Sequence, residues 1–343
     1  MRKEVNIIAY EKALMLDMGR KFFTKEWILT LLDYMHELKM NTLQLHFSEN
    51  EGFRIECEII PEIVSEAHLK KVEVREIIEY AKVREIQLIP DFDTPGHLKQ
   101  ILQHYPHFLL EKNEKCMEDK EVKALDITSK AAREFIKKIY AEFAELFKES
   151  TYFHIGADEF IDFEKVESYP KLIEYSREHY GSHATGMEVY VEYTNEIADF
   201  IKALGFTPRV WNDGFYRKNQ ACLVKLNKDI QVCYWTKWHP SMAEPETFIE
   251  SGHQLINFCD NCFYYVLGEN NGYTYPTEEK IRTEWQVNRF PHNGYLSQEH
   301  MKSVIGTSFA IWCDRPDAQT EAEVFSGIKG PLKAMMEILL ETH

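Results

Sequence analysis

Short apolar runs recur along the chain, and between several of them apolar positions fall three or four residues apart. The short runs occupy residues 13–17, 42–47, 86–90, 152–155, 207–211, 230–235, 254–258 and 304–306 continuing through 311–312. Their length and their content of Val, Ile, Phe, Tyr and Trp predict eight buried strands. The longer pattern predicts helices at three places. One carries Trp27, Ile28, Leu31, Leu32, Met35 and Leu38 on a single face. A second carries Phe135, Ile136, Ile139, Tyr140, Phe143 and Phe147, and a third Val189, Val191, Tyr193, Ile197, Phe200 and Ile201. Strands that alternate with helices imply βαβ units and a parallel sheet. Eight such units with no linker between them predict an α/β chain folded as one (β/α)8 TIM barrel over residues 1–343. An open doubly wound sheet is the alternative, but no glycine-rich fingerprint follows the first strand.

A barrel makes a sharp demand on the sequence, because its functional residues gather just past the C-terminal ends of the strands. The unusual polar and aromatic residues fall there, at 17–20, 46–51, 91–97, 158–159, 211–214, 235–238, 257–265 and 312–314. The segment His154-Ile155-Gly156-Ala157-Asp158-Glu159-Phe160 stands out. A strand that ends in small residues and two adjacent carboxylates can aim both acids into a cleft. If their surroundings push the two pKa values apart, one acid can donate a proton while the other holds a charge. The bland reading of the same pair is a solvated surface turn.

Composition narrows the picture further. With 343 residues, 44% of them hydrophobic, the chain can bury a large core. A net charge of -16 argues against nucleic acid or an anionic membrane as partner. No run of about 18 apolar residues occurs, so no membrane span is expected. Residues 1–5 carry no apolar signal core, and the seven cysteines are odd in number. Together these suggest reduced thiols in a cytoplasm, or a domain cut from a longer secreted chain. Cys259 and Cys262 form a CxxC without a second Cys/His pair at zinc-ribbon spacing, so they read as ordinary thiols. The 14 histidines raise a metal-dependent hydrolase, but no His-x-His cluster supports it. The expectation is no metal and no cofactor.

The strand-end motifs carry a specific resemblance. His154 to Glu159 is similar to the His-x-Gly-(Gly/Ala)-Asp-Glu signature of family-20 glycoside hydrolases, the β-N-acetylhexosaminidases. In the same order, LMLDMGRKFF at 14–23 resembles the family's opening strand and NTLQLHFSENEGF at 41–53 its second strand and acidic loop. IPDFDTPGH at 89–97, WNDGF at 211–215 and AIWCD at 310–314 also match. The likeness covers nearly the whole chain and lies nearest the dispersin-like and streptococcal catalytic domains, which lack a preceding small α+β domain.

Family-20 enzymes are exceptions to the usual two-carboxylate scheme. The resemblance implies that the substrate's 2-acetamido oxygen attacks the anomeric carbon and forms an oxazolinium ion, with retention of configuration. Glu159 then protonates the leaving oxygen and later activates water, while Asp158 holds the acetamido N–H. Tyr265 is expected to bond the acetamido oxygen, with Tyr264 the alternative. Trp211, Trp235 and Trp312 are expected as aromatic walls, although core packing is the ordinary fate of any single tryptophan. Arg20 is expected to fork onto O3 and O4, and Asp314 to accept from O4 and O6, where many relatives carry the longer Glu. His97 is expected to link Glu159 to Glu49, a position usually held by Asp. Asp213 reads as a loop organiser, and His154 as a satisfied histidine packed under the site. Residues 98–130 and 266–300 read as long polar loops that wall the site, with Trp285 as the floor of a leaving-group subsite.

The partner implied is an oligosaccharide or glycoconjugate with a terminal β-linked N-acetylhexosamine. A lacto-N-biosidase or a poly-β-1,6-GlcNAc hydrolase is open on the same fold. A carbohydrate-binding barrel without activity is the alternative of another class, and retention of both Asp158 and Glu159 weighs against it.

Overall fold

The computed structural model describes residues 10–113 and 124–342. Eight parallel strands form the barrel: β1 (Glu11–Asp17), β2 (Thr42–Glu49), β3 (Gln87–Thr94), β4 (Tyr152–Gly156), β5 (Thr207–Trp211), β6 (Gln231–Tyr234), β7 (Leu255–Asn257) and β8 (Val304–Trp312). Each pairs with the next, and β1 pairs with both β2 and β8, so the sheet closes on itself. This is a (β/α)8 TIM barrel, as the alternation of apolar and amphipathic runs predicts. All eight expected strands are present. β3 continues past the expected run through Asp91 and Asp93 to Thr94, which carries acidic residues into the barrel mouth.

The long helices are α1 (Lys25–Glu37), α2 (Lys71–Lys82), α3 (Lys130–Leu146), α4 (Pro170–Tyr180), α5 (Met187–Ala203) and α6 (Glu321–Thr342). The Thr24 hydroxyl accepts from the Trp27 N–H at the start of α1, and the Ser129 hydroxyl accepts from Ala132 at the start of α3. Those side chains satisfy backbone donors that the first helical turn leaves free. The helices bury Ile28, Leu31, Ile77, Ile136, Phe143, Ile197 and Leu332 against the outer faces of the strands. None of the described helices is long and apolar enough to cross a membrane.

The barrel interior is filled rather than hollow. Near its base Arg209 pairs with Glu11 and donates to Gln231, all three buried. Higher up, Asp91 accepts from Gln44 at 2.7 Å, lies 2.9 Å from the His46 ring and 3.2 Å from His154. Burial alone disfavours the Asp91 charge, but the two imidazoles overcome it and hold its carboxyl below the ordinary range. His154 is therefore a buried partner beneath the site, as its sequence position suggested. Above this polar layer Met15, Trp211, Cys233, Ile256, Phe258, Tyr264 and Val266 form an apolar cluster that leads to the mouth.

The two long polar loops do not stand as expected. Residues 266–300 contain a helix Glu278–Glu284, a small hairpin of Arg289–Phe290 with Gly294–Tyr295, and a helix Gln298–Met301. Residues 98–130 include a short helix Lys99–Leu102 and a tight turn at Pro106–Phe108, and part of this stretch lies outside the described residues. Short helices carry too little periodicity to read against a polar background.

Candidate active site

The C-terminal ends of the strands converge on a cavity of about 360 Å³. Arg20, Glu49, His97, Asp158, Glu159, Trp211, Trp235, Trp312 and Asp314 all line it. These residues come from different strand ends and meet only because the barrel closes.

The acidic pair sits on a strained turn. Gly156, Ala157 and Glu159 all have positive φ, at 77°, 77° and 43°. Such values cost non-glycine residues free energy and persist only where the surroundings fix them. Here they do. The Ala157 N–H donates to Thr94 O and to Asp93 Oδ1, and the Tyr190 hydroxyl donates to Ala157 O. A Cβ at Gly156 would lie 1.6 Å from Asp93 Oδ1, so only glycine fits. The Glu159 N–H donates to Asp213 Oδ2 at 3.0 Å, and the Trp235 indole donates to Asp213 Oδ1 at 3.2 Å. Asp213 thus ties the acidic turn to an aromatic wall, the organising part its sequence position suggested. Neighbouring Asn212 accepts from the Trp235 N–H and donates to Thr236 O, fixing the end of β6.

A chain of charges runs behind the pair. Arg20 donates to Asp17 at 3.0 Å and to Glu49 at 2.7 Å, and its guanidinium lies over the Trp312 ring. Glu49 also meets His97 Nδ1 at 2.7 Å. The other ring nitrogen of His97 is 3.6 Å from Asp158 and 3.7 Å from Glu159. Burial works against a charge on His97, but Glu49 and Asp158 outweigh it and push its pKa up to about 10. Glu49 is buried as well, and the Arg20 and His97 charges hold it well below the usual range.

The Glu159 carboxyl moves the opposite way. Half of the side chain faces the cavity, yet the surrounding protein desolvates the carboxyl and raises its pKa; Asp158 adds to the rise and His97 opposes it. Asp93, buried beneath Asp158, is raised well above its ordinary value by burial and by hydrogen bonding to Asp158. No sequence motif announces this pairing of Asp93 with Asp158. Asp93, His97 and Asp158 bring possible ligand atoms within 4.8 Å of one another. His97 Nε2 stays 3.6 Å from Asp158, so the trio is a cluster of facing charges rather than a hydrogen-bonded chain.

The aromatic wall corrects one expectation. Tyr264 lines the cavity, with its ring parallel to Trp235 at 5.8 Å and 5.9 Å from Trp312. Tyr265 does not reach the cavity. Its hydroxyl donates to Gln319, its ring stacks on Tyr275 at 4.4 Å, and it packs over Gly327 of α6. The segment Tyr264–Val266 is a short strand beside the end of β8, so alternate side chains face opposite ways. Tyr264 and Val266 therefore point inward and Tyr265 outward. Trp285 is corrected too. It is 2% exposed, packs edge-on against Phe263 and is absent from the cavity wall. Trp238, 56% exposed, stands at the rim instead. Tyr273 and Asn271 also line the cavity, and no sequence motif points to them.

Several buried polar atoms facing this region lack partners among the described residues. They include Asp158 Oδ1, the Tyr264 hydroxyl and the indole nitrogens of Trp211 and Trp312. Buried polar groups are nearly always hydrogen-bonded, so a cluster of orphans marks a place where a ligand completes the set.

A family description, the catalytic domain of glycosyl hydrolase family 20, matches residues 11–327. The chain is 26% identical over 299 residues to lacto-N-biosidase of Bifidobacterium bifidum, which covers 87% of this chain and 25% of that protein. It is 26% identical over 316 residues to β-hexosaminidase subunit A1 of Dictyostelium discoideum, covering 89% and 54% respectively. The chain thus spans a quarter to about half the length of these curated relatives. Among solved structures, Dispersin B superposes with a TM-score of 0.77 at 20% identity, covering 96% of this chain and 99% of that one. A catalytic module of the pneumococcal exo-β-D-N-acetylglucosaminidase gives 0.77 at 22% identity, covering 96% and 84%.

Proposed function

Because the chain belongs to glycosyl hydrolase family 20, we propose that it is a retaining β-N-acetylhexosaminidase whose nucleophile is the substrate's own acetamido oxygen. Its substrates are oligosaccharides or glycoconjugates that end in β-linked GlcNAc or GalNAc. One observation carries the reading. Asp158 Oδ1 is a buried acceptor without a donor, and the Tyr264 hydroxyl is a buried donor without an acceptor. Both line the same cavity, and burial chiefly raises the tyrosine's pKa, with the Asp158 charge adding to it. An acetamido group carries one N–H and one C=O, which match that pair.

In this reading Asp158 accepts from the acetamido N–H and stabilises the charge that grows on nitrogen as the ring closes. Tyr264 donates to the attacking oxygen and holds it beneath the anomeric carbon. Trp211, Trp235 and Trp312 face the methyl group and the apolar face of the sugar. Glu159, whose raised pKa favours the protonated form, donates to the leaving oxygen and then takes a proton from water. Arg20 presents a planar fork to neighbouring sugar hydroxyls, geometry that lysine lacks. Trp238 offers a face to the leaving group.

The test is hydrolysis of 4-nitrophenyl β-GlcNAc and β-GalNAc, with inhibition by GlcNAc-thiazoline, a stable mimic of the oxazolinium ion. At least one glycoside should be cleaved and the thiazoline should compete; no turnover together with no thiazoline binding removes the assignment. A tyrosine pair tests the wall. Tyr264→Phe should lower kcat/KM by about 10²-fold or more, as loss of a preorganised donor does elsewhere. Tyr265→Phe should stay within about threefold of wild type, because among the described residues its hydroxyl bonds Gln319 alone. The reverse order of effects would return the acetamide contact to Tyr265.

A further inference from the structure

Asp314 is held by a turn whose sequence matches no motif. Between the Tyr264–Val266 strand and the helix Glu278–Glu284, the chain passes through Gly268, Glu269, Asn271 and Gly272, all at positive φ. The turn is anchored on both flanks. The Gly268 N–H donates to the Tyr275 hydroxyl at 3.0 Å, the Tyr275 N–H to Glu269 at 3.1 Å, and the Tyr273 hydroxyl to the buried Asp260 at 3.0 Å. At its tip the Asn271 amide donates to Asp314 Oδ2 at 2.9 Å, and Asn270 approaches the same oxygen at 3.4 Å. Asn271, Asp314 and Arg20 all line the cavity.

Asn271 is exposed, so core packing does not explain its place. Its amide occupies one Asp314 oxygen, and no hydrogen bond to the other oxygen occurs among the described residues. That leaves one carboxylate oxygen and the Asn271 carboxamide side by side at the cavity wall. Such a pair can accept from one sugar hydroxyl and exchange hydrogen bonds with its neighbour. The turn also brings Asn271 and Tyr273 to the cavity wall at that end.

We infer that Asn271 is a specificity-determining residue: it fixes Asp314 for the hydroxyls of one terminal N-acetylhexosamine and closes that end of the cavity to a further sugar. This rests on the hexosaminidase reading above. It goes beyond that reading in assigning an exo, single-residue preference to a turn rather than to the strand-end residues.

The experiment compares wild type, Asn271→Ala and Asn271→Asp on two substrates. One is 4-nitrophenyl β-GlcNAc and the other the same glycoside capped by a β1,4-linked galactose. Wild type should cleave the capped glycoside at least about 100-fold more slowly than the uncapped one. In Asn271→Ala, KM for the uncapped glycoside should rise about tenfold with kcat within about threefold, and the capped-to-uncapped gap should narrow. Asn271→Asp sets two carboxylates together, so its KM should worsen as pH rises and recover toward acid pH, where the pair holds a proton. A merely structural role would give no such pH-dependent KM. Equal cleavage of capped and uncapped glycosides by wild type overturns the inference, and so does an unchanged KM in Asn271→Ala. Absence of all turnover and of thiazoline binding in wild type is a separate result that removes the underlying assignment.

Discussion

Glu159→Gln should lose about 10²- to 10⁴-fold in kcat/KM on an unactivated disaccharide, the range expected when a general acid is removed. The loss should be smaller on 4-nitrophenyl β-GlcNAc in the bond-breaking step, because p-nitrophenolate leaves without much help from a proton. The second step still needs a base to activate water, so the variant should accumulate intermediate on the activated substrate. Comparing pre-steady-state and steady-state rates on that substrate checks this. Equal losses on both substrates, with no burst, would take the proton-transfer role away from Glu159. Folding should be unaffected, because half of this side chain already faces the cavity. The turn beneath it is held through backbone contacts to Thr94, Asp93 and Asp213.

Asp158→Asn should cost about 10²- to 10³-fold in kcat, as loss of preorganised charge stabilisation does in other sites. Asn keeps the shape but removes the negative charge that faces the growing positive charge on the acetamido nitrogen. It also changes the proton balance around Glu159. Asp158 is one of the groups that raise the Glu159 pKa, while burial is the larger one and His97 works against both. A raised pKa keeps Glu159 protonated further toward neutral pH, and the alkaline limb of kcat/KM reports its loss of that proton. Removing the Asp158 charge must therefore move that limb to lower pH. A limb that stays in place, or moves upward, would mean that Asp158 does not act on Glu159 electrostatically.

Much of this arrangement is legible in the residues themselves. The barrel follows from eight short apolar runs, because parallel strands buried on both faces carry a continuous apolar signal. The acids and tryptophans at strand ends follow from the same pattern, since the barrel gathers one end of every strand into one place. Gly156 is legible as well, with the reason supplied by the structure: Asp93 leaves no room for a Cβ.

The choice between Tyr264 and Tyr265 was not legible. It depends on the phase of a three-residue strand that follows a four-residue helix, Asp260–Phe263, and a shift of one residue reverses every side chain. Trp285 misled for a related reason. Its helix, Glu278–Glu284, is too short to show which face is buried, and the structure folds the indole onto Phe263. Helix α2 also escaped notice, because Lys71 to Lys82 intersperses charged residues among its few apolar ones. Asp93 and Asn271 act through pairings that join separate parts of the chain, with Asp158 and Asp314 respectively. No local spacing announces such partners.

On this mechanism the nucleophile belongs to the substrate, and Asp158 and Tyr264 only hold it. A series of 4-nitrophenyl β-glycosides tests this most directly, with the 2-acetamido group replaced by mono-, di- and trifluoroacetamido. Each fluorine draws electrons from the amide oxygen and weakens its attack while changing the sugar's shape little. Along the series kcat/KM should fall stepwise. A flat series would contradict it, and would mean that a group of the protein attacks the anomeric carbon instead.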